Sequence, residues 1–202
     1  EQWMYSAGGF YPHEIGNSAR LDTNAYFQRT PSSSGSRTTW TWSGWVKRSA
    51  IGASQAFFGG VGGYPSTGAY FMGDDKIRFF SHTEATAAGI KLDFTTTAVF
   101  RDVSSWYHVV FQYDTTATVA SDRAKLYVNG VLASITGTTG VDANPKYPEL
   151  NFQAAWNSAG FVQRMGSHSG VWYHNGYFAE VNFVDGQALD PTDFGETKSG
   201  VW

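Results

Sequence analysis

The sequence predicts an all-β fold of two antiparallel sheets packed face to face, with almost no helix. Aromatic residues make up 17% of the 202 residues, glycine occurs 23 times and charged residues make up 15%. This balance favours many short strands joined by glycine turns. A chain of this length can bury about 70% of its unfolded surface, so one core is sufficient. Three segments show the two-residue alternation of a strand most clearly: Thr38–Lys47, Trp106–Asp114 and Phe178–Asp185.

The chain begins with an aromatic stretch that is interrupted by residues which break helices and strands. We interpret residues 1–15 as an N-terminal arm before a single domain, 16–202. The large apolar side chains of the arm are Trp3, Met4, Tyr5, Phe10 and Tyr11. Burying such a side chain stabilises a protein by about 1.5–3 kcal/mol. We therefore expect the arm to contact protein, and two partners remain open: its own sandwich or a neighbouring subunit.

Turn signals divide the domain into short strands. Ser18–Arg29 predicts two strands around a turn at Asp22–Asn24, and Asn129-Gly130 is the strongest hairpin signal. We expect Lys91–Thr95 at a sheet edge and Trp106–Asp114 at a sheet centre. The other predicted strands are Thr38–Lys47, Ala56–Gly60, Ala69–Met72, Lys76–Ser81, Ala124–Val128, Val131–Ser134, Phe161–Ser167 and Phe178–Asp185.

Alternation also predicts which side chains face the core. In Thr38–Lys47, we assign Trp40, Trp42 and Val46 to the core and expect a loop to cover Trp45 on the other face. In Phe178–Asp185, unbroken alternation places two sets on opposite faces. One set is Phe178, Glu180, Asn182 and Val184. The other set is Tyr177, Ala179, Val181 and Phe183.

Three further segments connect or end these strands. Gly59–Gly68 is predicted to be a glycine-rich loop, but it lacks the Gly-Lys-Ser/Thr ending of a phosphate loop. Gly137–Ala155 is a long connection whose length suggests a functional or contact loop. Asp190 and Pro191 signal the N-cap and first position of a helical turn. We expect the longest helical piece at Thr192–Glu196.

The C-terminal segment carries a family resemblance. GYFAEVNFVDGQAL, from Gly176, resembles the closing strand of laminin-G-like, concanavalin A-like jelly rolls. The longer AEVNFVDGQALDPTDFGE resembles lectin-like domains in tail fibres and other structural proteins of bacteriophages, especially marine ones. Four other segments agree with this resemblance: ARLDTNAYFQR, TWTWSGWVKR, AVFRDVSSWYHVVFQYD and KLYVNGV. The resemblance implies a jelly roll, a virion location and a homo-oligomer that contacts other virion proteins.

Composition excludes several classes of function. The net charge is −3 and there is no Lys/Arg-rich run, which argues against a nucleic-acid partner. The absence of cysteine excludes disulfides and cysteine metal sites. No apolar run approaches the roughly 20 residues that span a bilayer, so we expect no membrane partner.

Catalysis has to be weighed because concanavalin-like folds include glycoside hydrolases. Those enzymes carry a pattern like E-x-D-x-x-E, and the nearest match here is Glu180, Asn182 and Asp185. Asn182 cannot exchange a proton with a carboxylate as a retaining mechanism requires. We therefore expect no catalytic residues and a structural Glu180, bonded to loop backbone or to an arginine.

Cofactor sites are weakly signalled. No histidine stands in a zinc-like pair, and His108 is expected to bond a neighbouring strand or loop. We assign no metal site and no cofactor, with calcium left open because some laminin-G-like domains bind it. The candidate calcium loops are Asp22/Asn24, Asp74/Asp75 and Asp142/Asn144, where turn formation is the alternative role.

Glycan binding requires an exposed aromatic ring beside amide or carboxylate groups. The loop rings that could serve are Tyr64, Trp156, Trp172 and Tyr173. Tyr173 could instead be core and Trp172 could pack between subunits. The favoured hypothesis is a non-enzymatic virion adhesion protein, in a fibre, spike or capsid decoration, that binds cell-surface glycans. A free carbohydrate-binding lectin is the alternative, and a glycoside hydrolase is less favoured.

Overall fold

In residues 15–60 and 63–202, which the computed structural model describes, thirteen strands form two antiparallel sheets packed face to face. The strands are β1 (Ala19–Leu21), β2 (Phe27–Arg29), β3 (Thr39–Arg48), β4 (Gln55–Gly60), β5 (Ser66–Phe71), β6 (Ile77–His82), β7 (Ile90–Thr96), β8 (Tyr107–Asp114), β9 (Ala124–Val128), β10 (Val131–Leu132), β11 (Ile135–Thr136), β12 (Gln163–Met165) and β13 (Gly176–Asp185). The six-stranded sheet has the order β1-β13-β3-β8-β9-β10. The seven-stranded sheet has the order β11-β7-β6-β5-β4-β12-β2. The all-β jelly-roll prediction is confirmed.

Helix in the described residues is limited to three 3₁₀ turns of three residues each, Ala87–Gly89, Ala120–Asp122 and Pro191–Asp193. The last follows its predicted cap, because the Asp190 and Asp193 side chains form a reciprocal capping box. The helical piece predicted at Thr192–Glu196 is wrong in its bounds, because the turn begins at Pro191, directly after the Asp190 cap, and ends at Asp193. No helix in the described ranges has the length and apolarity to cross a membrane.

The core lies between the two sheets and is dominated by aromatic rings. Trp40, Trp42 and Val46 are buried there, as alternation along β3 predicts. Trp40 stacks on Tyr113 of β8 with ring centroids 4.9 Å apart. On the opposite face of β3, Trp45 is half-buried and its ring lies 5.0 Å from that of His108.

The closing strand β13 does not alternate without a break. The pairing with β3 shifts register between Ala179 and Asn182, and Glu180 adopts φ +48° in this β-bulge. The bulge adds one residue and so reverses the facing of everything after it. As a result, Phe178 before the bulge and Phe183 after it both pack against the core. The predicted division of this strand into two faces is therefore wrong beyond Ala179.

Two other predictions need correction. Lys91–Thr95 is not at the edge, because the two-residue strand β11 pairs with Thr95 and Thr96 and lies outside β7. The glycine-rich loop predicted at Gly59–Gly68 is shorter, because β5 begins at Ser66 rather than at Ala69, while β4 ends at Gly60 as predicted. The first error comes from pairing with a segment distant in the chain, which local composition does not encode, and the second from the pairing of β5 with the next strand, β6.

The C-terminal segment covers part of the outer face of the six-stranded sheet. The Trp202 ring stacks on His108 with centroids 5.6 Å apart. It also lies over Gly130 in the β9–β10 hairpin, where a Cβ would be 2.2 Å from the indole. Gly130 has φ +77° and Asn129 has φ +49°, which confirms the Asn-Gly hairpin turn.

Candidate functional site

An open pocket of about 260 Å³ lies on the outer face of the seven-stranded sheet. Strand β6 supplies its floor, because Arg78, Phe80 and His82 alternate outward while Ile77 and Phe79 face the core. The remaining lining residues come from the loop before β5, from β5 itself and from the segment after β12. They are Gly63, Tyr64, Ser66, His168 and Trp172.

A glycine in β4, Gly59, allows the segment after β12 to lie directly on the sheet. Gly59 of β4 is opposite Gly68 of β5. A Cβ at Gly59 would be 2.5 Å from the His168 Cδ2 atom, so only glycine leaves room for this ring. His168 Nε2 is 2.8 Å from the Ser66 hydroxyl oxygen. The Trp172 ring stacks with His168 at 5.0 Å and with Tyr70 at 4.4 Å.

A fully buried carboxylate, that of Asp93, organises the polar side of the pocket. Arg78 donates to both carboxylate oxygens, with Nε 3.0 Å from Oδ1. His82 Nε2 is 2.9 Å from Oδ2, and the Thr138 hydroxyl donates to Oδ1. Burial raises the pKa of Asp93, but these hydrogen bonds and the Arg78 charge outweigh it and hold the pKa below its ordinary value. Asp93 is therefore ionised and Arg78 and His82 are fixed in position.

His168 is neutral at physiological pH. Burial lowers its pKa to about 4, and the charges of Arg78 and His82 act in the same direction. The ring therefore serves as a hydrogen-bonding and stacking group beneath Trp172.

The structure brings two of the four predicted glycan-binding rings to this pocket. Tyr64 is 52% exposed at its mouth, and Trp172 is half-buried in its wall. Tyr173 lies outside the pocket and stacks with Tyr26 at 6.2 Å. Trp156 is 5% exposed and packs on Phe58 at 4.9 Å, so the prediction of an accessible ring is wrong there. Its segment folds inward because the Ala154 amide donates to the Arg37 carbonyl.

Sequence reasoning missed the charged residues of the pocket. Arg78 and Asp93 come from different strands and meet through the β6–β7 pairing, in which Phe80 is opposite Asp93. The one available signal was Asp93 itself. A carboxylate in the middle of an apolar strand segment requires a partner when it is buried.

The acidic residues considered for hydrolysis, Glu180 and Asp185, have different surroundings. Glu180 is exposed on the outer face of the six-stranded sheet. Asp185 Oδ1 accepts hydrogen bonds from the Ser36 amide and from Asn157 Nδ2, both at 2.8 Å. Asp185 therefore anchors the loop before β3.

The candidate calcium loops show turn and ion-pair geometry. Asp75 accepts from Arg48 Nη1 at 2.9 Å and from Arg101 Nε at 3.0 Å. Asp142 Oδ1 accepts from the Asn144 amide at 3.0 Å, as in an Asx turn. Across 15–60 and 63–202, no three His, Cys, Asp or Glu side chains are grouped to hold a metal ion. His108 Nε2 is 3.0 Å from the Ser43 hydroxyl of the neighbouring strand, as predicted.

The contact residues predicted in the arm, Trp3, Met4, Tyr5, Phe10 and Tyr11, lie outside the described residues.

Comparison with known proteins establishes the family. Residues 21–193 match the Laminin_G_3 model, described as the concanavalin A-like lectin/glucanases superfamily. The chain belongs to the concanavalin A-like lectin/glucanase superfamily. No curated protein sequence matches it.

Several solved structures resemble the chain at low sequence identity. Domain 4 of AbnA, a GH43 extracellular arabinanase from Geobacillus stearothermophilus in complex with arabinotriose, is 19% identical with a TM-score of 0.61, covering 89% of this chain and 75% of that one. The CBM40 of Ruminococcus gnavus IT-sialidase is 14% identical with a TM-score of 0.54, covering 88% and 95%. The heptameric SAP-like pentraxin of Limulus polyphemus is 14% identical with a TM-score of 0.51, covering 85% and 77%. At these identities the likeness is one of fold.

Proposed function

We propose that this concanavalin A-like domain is a non-catalytic glycan-binding module whose sugar site is the pocket between Tyr64 and Trp172. The observation that carries the proposal is the Tyr64 ring, 52% exposed beside the fixed polar side chains of Arg78 and His82. An exposed aromatic ring next to oriented donors is the arrangement that packs on sugar C–H groups and bonds sugar hydroxyls.

The polar groups of the pocket suit neutral hydroxyls because they are held before a ligand arrives. Asp93 fixes Arg78 and His82, so little side-chain entropy is lost when either contacts a sugar. Arg78 Nη1 also donates to the Tyr70 hydroxyl at 2.9 Å. Asp93 already accepts from three side chains, so its role is to orient the donors.

Two of the similar structures support a sugar ligand. The arabinanase domain is in complex with arabinotriose, and the sialidase CBM40 has been solved bound to α2,3 sialyllactose. The non-catalytic part of the proposal is supported by Asn182 in the E-x-D-x-x-E-like segment and by Asp185, which is bound to the Ser36 loop.

We place this module on a virion, as a fibre, spike or capsid decoration, with a free lectin as the alternative. The support is the resemblance of Ala179–Glu196 to bacteriophage structural proteins and the aromatic content of residues 1–15. Deleting residues 1–12 separates the two. A virion part should lose its oligomeric state and particle attachment, whereas a free lectin with an intramolecular arm should lose thermal stability alone.

The sugar site is tested by Tyr64→Ala, with Val131→Ala as the control. Val131 is 69% exposed on the other sheet, so the control also removes exposed apolar surface. Loss of a central aromatic contact typically costs about 2 kcal/mol or more, roughly thirtyfold in affinity. Affinity electrophoresis on arabinan, galactan and sialylated glycans should show retardation of the parent and the control but not of Tyr64→Ala. Equal retardation of both variants would place the site elsewhere.

A further inference from the structure

A second cluster of rings lies on the outer face of the seven-stranded sheet, on the far side of the segment that carries Trp172. Arg164 of β12 points outward because Met165, the next residue, packs on the core. Its guanidinium carbon lies 3.9 Å from the centroid of the Tyr26 ring. Tyr26 is 37% exposed and stacks with Tyr173 at 6.2 Å. This Tyr26–Arg164–Tyr173 cluster contains one of the predicted glycan-binding rings.

The cluster and the pocket are parts of one surface. Strand pairing places Arg164 opposite Gly59, and Gly59 opposite Gly68 on the pocket side. Two strand spacings separate Arg164 from Gly68, roughly 10 Å. The segment after β12 runs between them, with Gly170 beside Arg164 and Trp172 lining the pocket.

Arg164 differs from Arg78 and Arg48 in that no carboxylate of residues 15–60 and 63–202 pairs with it. Arg78 and Arg48 each pair with a buried aspartate. Arg164 Nε donates to Gln28 Oε1 at 2.9 Å. Within the described residues, its Nη1 and Nη2 atoms make no hydrogen bond or ion pair. The Tyr26 ring and Gln28 therefore hold a planar cation whose four terminal N–H groups have no partner in the part of the chain that the structure describes.

We infer that Arg164 is the anion subsite of the glycan-binding surface and that it binds the carboxylate of an acidic sugar of the uronate type. A guanidinium held on a ring presents two parallel N–H groups, which match the two oxygens of a carboxylate. The exposed Tyr26 ring and the half-buried Tyr173 ring beside it can pack on the same sugar. This inference rests on the proposed function, because it assigns an acidic unit to a glycan that also occupies the Tyr64 pocket.

The test compares oligogalacturonate with its fully methyl-esterified form, which keeps the sugar chain but removes the negative charge. Isothermal titration should show that the parent protein binds the acidic form at least about tenfold more tightly, because hydrogen bonds to charged groups are stronger than those to neutral groups. Arg164→Gln should remove this preference. Arg29→Gln is the matched control: Arg29 is exposed on β2 next to Gln28, and its loss changes net charge equally. Raising the salt concentration should weaken the preference by screening.

The outcomes separate the two proposals. If Tyr64→Ala loses binding of both ligands while Arg164→Gln loses only the preference for the acidic ligand, both proposals hold. Equal binding of the two ligands by the parent, or equal behaviour of Arg164→Gln and Arg29→Gln, overturns the anion subsite and leaves the glycan site intact. A sulfated galactan preferred over oligogalacturonate would overturn the carboxylate assignment. If the parent binds no oligosaccharide, neutral or acidic, the proposed function itself fails.

Discussion

At the level of single residues, the carboxylate of Asp93 holds Arg78 and His82 on the surface of the seven-stranded sheet. Its side chain is fully buried and that of Arg78 is 13% exposed. A buried ion pair contributes little net stability compared with apolar packing, but removing one partner leaves an uncompensated charge. The pair is therefore expected to be sensitive to loss of the aspartate charge.

Asp93→Asn should lower the free energy of unfolding by about 3–5 kcal/mol at pH 7, because Arg78 keeps its charge without a counterion. Urea unfolding followed by tryptophan fluorescence measures this. Asp122→Asn is the control: Asp122 pairs with Lys125 at 3.0 Å on the surface, where its side chain is 49% exposed. Such an exposed pair contributes about 1 kcal/mol at most. Similar losses in the two variants would show that Asp93 has no special role.

Trp42→Ala tests the core assigned from the alternation of β3. Trp42 is 2% exposed and its ring lies 5.5 Å from Phe58 and 5.7 Å from Phe111. Truncating a buried tryptophan costs about 3–5 kcal/mol. Trp45→Ala, on the opposite face of the same strand and half-buried, should cost clearly less. Thermal unfolding of the two variants in parallel decides this, and a Trp42→Ala protein melting within a degree or two of the parent would contradict the assignment.

At the level of elements, β3 and β13 show what the sequence can and cannot predict. Alternation placed Trp40, Trp42 and Val46 correctly, because β3 is regular along its length. The same reasoning failed in β13, because the bulge at Glu180 depends on how the strand fits β3 and leaves no local signature. Phe178 and Phe183, five residues apart, could both reach the core only with such an irregularity.

Gly59→Ala should weaken glycan binding although Gly59 is not part of the proposed sugar contact. The new methyl group would be 2.8 Å from the His168 Cβ atom, which cannot turn away as a side-chain tip can. The segment that carries His168 and Trp172 would have to move, and the pocket wall with it. Gly73→Ala is the control, since its nearest neighbour would be the Gly52 carbonyl oxygen at 3.7 Å, an ordinary contact. Affinity electrophoresis and thermal unfolding should both show a loss for Gly59→Ala alone.

At the level of the whole molecule, the sequence could predict some residues of the candidate site but not how they come together. Tyr64 and Trp172 were recognised as loop aromatics, but nothing local brings them together with Arg78 and Asp93. That arrangement arises from the order of β4, β5, β6 and β7 and from the segment that crosses them after β12. Pairing between segments far apart in sequence thus decides which residues form the site.

Three buried histidines should make the stability of the whole domain depend on pH between neutrality and pH 4. Burial lowers the pKa of His108 to about 4 and that of His168 to about 4. It lowers the pKa of His174 to about 3, with the charges of Arg48 and Arg20 acting in the same direction. An unfolded histidine has a pKa of about 6.5. The unfolded chain therefore takes up more protons than the folded one as the pH falls from about 6.5 towards 4, and stability falls with it.

Each histidine should lower the free energy of unfolding by up to about 1.4 kcal/mol per pH unit within this window, or roughly 2 kcal/mol each between pH 7 and pH 5. Asp93 and Asp75 act in a different window. Burial raises the pKa of each carboxylate, but hydrogen bonds and paired arginines outweigh it and leave both pKa values below the ordinary value. The stability they contribute is lost only as the pH falls below about 4. His174→Gln should remove about a third of the slope between pH 6.5 and pH 4, whatever its effect at neutral pH. Urea unfolding at half-unit pH steps measures the slope. A His174→Gln protein with the parental slope would show that this histidine is not held neutral in the folded domain.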